Sequence, residues 1–465
     1  MNCLFVKRRP SGEGFTIVEL VIVIAVIAIL AAVLIPTFSS IIQKANESKE
    51  LQEGRNETLR QRIDDILGNN VGQAPGISCG VDRITLAVGT SEDLSAVVSK
   101  DNNTTVSWTS ADGSVATVNS SGVVTGTGIG ETSVTVSCVG EDAASASITV
   151  KVVDKTVLLQ GTSFANKISG LSFSRLVLGW KEDHRDVADA NAPLAVNVAA
   201  SGSAEVYLSG ETLYILSDSK MFASPDSAGM FKGNALSPLK NVLSIKLENF
   251  DTREVLNMGS MFAECEKAET IEFGDSFYTA NVTRMSNMFS GCKALASVSF
   301  GKKFSTGRVT AMTGMFRNCS ALKVLDLSGF DTSALSDEGI ASSEYGAVTN
   351  MFFGCTALES LDLTGFDTSG IRFFYQTFYD CESLATLDIS SFDTTLAENT
   401  YAMFYGCSAL ERITVVSGTG HWSMDNVTLD TSMFSGCVKL PGYDVTKTGR
   451  SKAVTTEGGY LTEKG

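Results

Sequence analysis

Three groups of residues in this sequence are of types that carry chemistry. Glu19 is a single carboxylate inside an otherwise apolar run. Cys265, Cys292, Cys319, Cys355, Cys381, Cys407 and Cys437 share one recurring place, Met-Phe-x-x-Cys, with Thr377 in place of the methionine in one copy. His184 and His421 are the only histidines, so a histidine-based triad would need one of them. His184 lies in Lys181-Glu182-Asp183-His184-Arg185-Asp186, which reads as a solvated loop, and His421-Trp422 reads as either an exposed binding contact or plain surface. Zinc sites use ligands in close pairs such as Cys-x-x-Cys, and the chain has none. Cysteine is small and readily buried, so seven at one corner of a repeat read as a structural ladder of buried thiols. With no phosphate loop, metal motif or nucleophile elbow either, the sequence predicts no catalytic residue, no metal, no cofactor and no enzyme.

The element that holds Glu19 runs from Phe15 to Pro36. Phe15 to Ile35 is 21 residues, nearly all apolar, and a helix of that length spans about 32 Å, the thickness of a bilayer core. Lys7, Arg8 and Arg9 precede it, which holds the N-terminus cytoplasmic and directs the remainder outward. A carboxylate at mid-bilayer costs about 2.5–3.5 kcal/mol, so Glu19 calls for a function. Gly14-Phe15-Thr16-Ile17-Val18-Glu19-Leu20 after a short basic leader resembles the prepilin N-terminus of type IV pilins and pseudopilins. The resemblance implies that a prepilin peptidase cuts between Gly14 and Phe15, that Phe15 is N-methylated, and that Glu19 is the assembly glutamate. Pro36 falls where pilins commonly carry a kinking proline. A new amine at Phe15 would lie about one helical turn from Glu19, and opposite charges in a low-dielectric layer attract strongly. Pairing between the amine of one subunit and Glu19 of the next would draw pilin-like subunits into a stack.

The chain has formal net charge −16; removal of residues 1–14 takes away three cations and Glu13, leaving −18. That acidity argues against nucleic acid as a partner. Glycine is plentiful, at 42, and proline scarce, at 7, which suits a β-rich, turn-rich protein.

In chain order, residues 1–14 form the leader, 15–68 a hydrophobic then amphipathic helix, and 69–77 a linker. Residues 78–153 alternate in short runs (Ile84, Leu86, Val88; Val134, Val136, Cys138; Ile148, Val150, Val152), the pattern of short antiparallel strands in a sandwich. Val106-Ser107-Trp108-Thr109-Ser110, Ser114 to Val118, Gly122 to Thr125 and Gly130-Glu131-Thr132 together resemble a bacterial immunoglobulin-like domain of group 2, which implies a surface-protein spacer or stalk. Trp108 is expected in its core. Cys79 and Cys138 are a disulfide candidate within it, in a compartment that permits one. Residues 154–240 read as an N-terminal cap, with a hairpin around Ser209-Gly210-Glu211.

From residue 241 to 442 the chain repeats. The cysteine steps are 27, 27, 36, 26, 26 and 30 residues, the longest holding an insertion around Ser336 to Tyr345. Met230-Phe231 is a degenerate first copy, and Leu322-x-x-Leu325-Asp326-Leu327-Ser328-Gly329-Phe330-Asp331-Thr332-Ser333 recurs between the cysteines. A period near 26 signals a solenoid whose coils each hold a strand and a tight helical or 3₁₀ turn. The Phe-Asp-Thr segments are expected to pack the coil and bond turn backbones. Period and residues resemble BspA-type leucine-rich repeats of bacterial surface proteins, with residues 443–465 as a C-terminal cap and Gly458-Gly459-Tyr460-Leu461 as the closing strand.

The expectation is a multidomain chain: an N-terminal transmembrane α-helix, an all-β immunoglobulin-like sandwich, then a leucine-rich-repeat solenoid with a β-strand plus short helix or turn per coil. It would sit in the cell membrane as a single-pass protein, or in a pilus, with its C-terminal domains outside the cell. Its role would be surface binding or adhesion to an extracellular protein or matrix ligand, and the alternative is a structural minor pilin or pseudopilin. N-terminal sequencing of protein isolated from its native envelope should start at N-methylated Phe15; a start at Met1 would remove the export route.

Overall fold

The computed structural model describes residues 77–95, 98–99, 105–139, 144–234, 237–418 and 421–464. The expected leader, the expected transmembrane helix with Glu19 and nearly all of the expected linker fall outside these residues. Among the described residues no helix is long and apolar enough to cross a membrane.

Residues 78–153 form two facing sheets. One runs in the order Arg83–Ala87, Ser145–Val153, Gly130–Cys138, Val106–Ser110, and the other Ser91–Asp93, Val123–Gly126, Ala116–Val118. The period-2 pattern puts Val134, Val136, Ile148, Val150 and Val152 inward, where they pack with Leu86, Leu94, Ala116 and Val124. Trp108 packs against this core as expected, and its indole covers Gly122 (φ +88°), where an added Cβ would lie 2.8 Å from the ring. One expectation is corrected: Arg83–Ala87 pairs parallel, not antiparallel, with Ser145–Val153. The two strands are the first and last long ones of the domain, so no tight hairpin dictates their direction.

The remaining strands are shared between the cap and the repeats. The hairpin Glu205–Ser209/Thr212–Ser217 turns at Gly210-Glu211. It pairs with Arg175–Trp180, which is parallel to Ser244–Leu247 and then Thr270–Phe273. The cap therefore covers the open edge of the first repeat strand, the function its position predicts. Further along, Val324–Asp326 pairs parallel with Ser360–Asp362, and Thr386–Asp388 with Arg412–Val415. Thr462–Glu463 closes on Arg412–Val415, just beyond the segment expected to do so.

The recurring Met-Phe places one ring per coil on a single line. Phe231, Phe262, Phe289, Phe316, Phe352, Phe378, Phe404 and Phe434 stack face to face with successive centroid distances of 5.4, 5.6, 5.6, 6.0, 5.4, 5.5 and 5.4 Å. The column ends edge-on against Tyr460 of the C-terminal cap.

The Met-Phe-x-x-Cys segment is not the helical turn expected from sequence; it is a chain of β-turns. The reason is backbone handedness. In each coil the residue before the Met-Phe pair and the residue before the cysteine are left-handed, as at Asn287 (φ 57°) and Gly291 (φ 77°), or Ala402 (φ 50°) and Gly406 (φ 75°). A left-handed residue cannot continue a right-handed helix. At Gly406 a Cβ would also collide with Asp380 Oδ1 of the preceding coil.

Thr400 takes the place held by Met258, Met285 and Met312 in earlier coils, and its buried hydroxyl has no partner. Thr400→Val should raise unfolding stability by about 1 kcal/mol by removing that unpaired group. Phe316→Ala, in mid-column, should cost about 3–5 kcal/mol. Denaturant unfolding of the full-length protein checks both.

Candidate functional site

The seven repeat cysteines line up on the inner side of the stack, each fully buried. Each thiol donates to the carbonyl of the stacked phenylalanine one coil earlier: Cys265 to Phe231 at 3.0 Å, Cys292 to Phe262, Cys319 to Phe289 and Cys355 to Phe316 at 3.1 Å, Cys381 to Phe352 at 3.3 Å, Cys407 to Phe378 at 3.0 Å and Cys437 to Phe404 at 2.9 Å. Burial pushes the Cys265 and Cys355 thiols up to about 12, so these two stay protonated and able to donate. These sulfurs are structural donors; a thiolate nucleophile needs the opposite environment.

Of the two residues of the disulfide candidate, Cys79 is half-buried and Cys138 is buried. Cys79 sits on the short strand Ser78–Cys79, opposite Val98, whereas Cys138 ends Gly130–Cys138 in the four-stranded sheet. The two strands belong to different ladders, so no backbone pairing holds the residues opposite one another.

The Phe-Asp-Thr segments behave as the sequence predicts. The threonine hydroxyl donates to a carbonyl of the next coil: Thr279 to Ser305 at 2.6 Å, Thr332 to Asp367 at 3.1 Å, Thr368 to Asp393 at 2.8 Å, Thr394 to Ser423 at 2.7 Å. Asp331 and Asp393 accept from the backbone and hydroxyl two residues on, at Ser333 and Thr395.

Where this pattern lapses, another contact appears. The aspartate column reads Asp251, Tyr278, Ser305, Asp331, Asp367, Asp393. At the early departures the immunoglobulin-like domain docks on the repeats. Tyr278 Oη donates to Glu92 Oε2 at 2.6 Å, Lys303 Nζ donates to Glu92 Oε1 at 2.6 Å, and Arg253 reaches the Ser91 carbonyl at 2.7 Å while holding buried Asp251. Arg253 and Lys303 both lie over the Tyr278 ring, at 4.8 and 4.4 Å. Nearby, Lys220 donates to Ser276 at 2.8 Å and to the Thr85 carbonyl at 3.3 Å. Burial raises Glu92, but its bonds to Lys303 and Tyr278 and the charges of Lys303 and Arg253 outweigh that and leave its carboxyl below the ordinary value. Burial pushes the Lys220 ammonium down, against the pull of Asp251. The sequence held a signal for this junction, a tyrosine in an aspartate column, but no indication of its partner.

The histidines also find definite places. His184 is not a solvated loop residue: Nε2 is 2.8 Å from Glu248 Oε2 and the ring packs on Tyr214 at 5.3 Å. His421 is exposed, whereas Trp422 is buried and donates its indole N–H to the Ala453 carbonyl at 3.1 Å. Trp422 is thus core, not a binding contact. Among the described residues no group of three or more His, Cys, Asp or Glu side chains is placed to hold a metal ion.

The outer surface carries two features sequence reasoning missed. Phe353, Tyr379 and Tyr405 stack at 4.5 and 4.6 Å beside the inner column, and Tyr375 stacks on Tyr401 at 5.4 Å. The signal was present, as an aromatic directly after the Met-Phe pair in three successive copies. The insertion folds back onto the following coils around Asp337, a fully buried carboxylate that accepts backbone N–H from Ala347 at 2.6 Å, Arg372 at 2.8 Å and Phe373 at 2.9 Å. Between its residues 341–343 and Arg372, Phe373, Glu398, Asn399, Thr428 and Leu429 lies an open cavity of about 360 Å³.

Comparison with known proteins divides the chain as the structure does. Residues 75–150 match the bacterial Ig-like domain, group 2. Residues 226–340 and 338–447 match a family described as Mycoplasma protein of unknown function, DUF285, and the two matches meet at the insertion. No curated protein matches the chain.

Two outcomes test this geometry. Thiol alkylation of the native protein, mapped by mass spectrometry, should leave all seven ladder cysteines unmodified while half-buried Cys79 reacts. Because Glu92 titrates below its ordinary value of 4.5, its contribution is fully present above that pH and is lost as pH falls through the lower folded value. Glu92→Gln should therefore lower stability by about 2 kcal/mol at neutral pH and by progressively less in acid, read from thermal melts across pH 3 to 7.

Proposed function

We propose that the protein is a bacterial cell-surface binding protein that presents its repeats outside the cell. The observation that carries this reading is the division of labour in the coils. The inward Met, Phe and Cys columns hold nearly constant residues, whereas the outward columns change from coil to coil. A stack of that kind offers an extended side-chain surface on an unchanging interior, the usual basis of recognition by repeat arrays. An immunoglobulin-like domain of a bacterial type ahead of the repeats suits a surface protein. We read the array as a BspA-type leucine-rich-repeat solenoid and the partner as an extracellular protein or matrix component. The apolar segment with its basic flank would anchor the chain in the membrane after cleavage at Gly14. The docked Ig-like domain would then act as a rigid collar for the repeats in place of a loose stalk.

A second reading is favoured by one residue. Glu19, one turn from the amine that cleavage would create, suits insertion into a pilus as a minor pilin or pseudopilin.

Deletion of residues 206–465 should abolish adhesion while export persists, measured by cell binding and surface labelling; unchanged adhesion would refute the binding role. Glu19→Ala should block incorporation into fibres while leaving the protein in the membrane, and normal incorporation would remove the assembly role.

A further inference from the structure

We propose that the cavity beside the insertion is a binding site for a neutral oligosaccharide. This deepens the surface-binding reading and rests on it for the source of the ligand.

The chemistry of the walls sets the ligand class. Arg372 and Glu398 face each other as a two-pronged pair, Nε to Oε1 and Nη2 to Oε2 at 2.8 Å each. Their charges cancel, so the cavity favours neither an anion nor a cation. The pair is still rich in hydrogen-bonding capacity, since a carboxylate has about four acceptor positions and a guanidinium five N–H groups. Two of those N–H groups are spent on Glu398, and Nη1 holds the insertion through the Ile340 carbonyl at 3.3 Å. Asn399 is only 3% exposed yet lines the cavity. Its Oδ1 accepts from the Tyr401 N–H at 2.8 Å, and its Nδ2 donates to no described residue. Ser343 and Thr428 add hydroxyls to the walls. Planar donors and acceptors with no net charge match the vicinal hydroxyls of a sugar.

Apolar side chains on the elements that line the cavity match the other half of a sugar, its C–H face: Phe373 and Leu429 are in the wall, and Tyr401 and Tyr345 follow the wall residues Asn399 and Ser343 by two positions. Tyr401 stacks on Tyr375, but the next coil has Thr431 in that place, so no third ring covers Tyr401, which is 37% exposed. Leu429, half exposed, adjoins Asn399 on the following coil, and Tyr345 stands out from the insertion. An aromatic ring with a wet edge is suited to a ligand that is apolar on its faces and polar at its rim. The net charge of −16 disfavours acidic glycans over neutral ones.

The test applies purified full-length protein, held in a detergent without a sugar headgroup, to an array of immobilised neutral, sialylated and sulfated oligosaccharides. Neutral oligosaccharides should be retained, and Arg372→Met should weaken retention at least about tenfold, the loss expected for charge-assisted hydrogen bonds. Ser343→Trp, which occupies the cavity from the insertion side and leaves both Arg372 and Glu398 in the sequence, should do the same. Retention of acidic glycans alone, of none, or of neutral glycans equally by both variants would overturn the site. Cells that adhere through residues 206–465 while the array stays blank would sink the glycan site and leave the surface-binding reading standing. Glycan retention by protein that is never displayed on cells would do the reverse.

Discussion

Everything in the repeat region depends on one constraint: a coil cannot bury its own apolar face or satisfy its own backbone, so each must be completed by the next. The phenylalanine column meets the first requirement and the Thr and Cys ladders meet the second. A carbonyl buried beside a stacked ring would be costly without a donor, and the thiol one coil on supplies it. Threonine does the same at the opposite corner. The ends of such a stack are its weak points, since they have no neighbour. The N-terminal cap meets this with a parallel strand against the first repeat strand, and the C-terminal segment with Tyr460 across the last ring.

The same constraint explains where the array interacts. Inner positions are fixed by stacking, so variation is confined to outer positions, and there the chain departs from its own pattern in a few places. Tyr278 and Lys303 depart near the start and clasp Glu92 of the Ig-like domain. Phe353, Tyr379 and Tyr405 depart further on and build a second aromatic column. The insertion departs most and is pinned by Asp337, whose buried charge is met by three backbone N–H groups.

Much of this was legible in the sequence, and for a physical reason. Inward-facing side chains in a β-sandwich or a stacked coil recur at intervals set by geometry. Ile148, Val150 and Val152 thus declare a strand face, and Met-Phe-x-x-Cys declares a coil. The helical turn was misread because handedness is not written in side-chain type. Gly406 suggests a left-handed corner, but Ala402 and Gln376 adopt one as well, and neither residue type announces it. His184 was misread because its partner, Glu248, is 64 residues away in the chain.

The sequence by itself determined the order of the domains, the period of the repeats, the inward cysteines and the threonine bonds, because these follow from local spacing repeated many times. It also carries the cluster Lys7, Arg8 and Arg9, the apolar run that follows it, and Glu19. Only the tertiary structure decided that the Ig-like domain is clamped to the repeats through Glu92, and that the insertion walls a neutral polar cavity. Each of those outcomes rests on contacts between residues distant in the chain, so no periodicity records it and only the folded geometry can supply it.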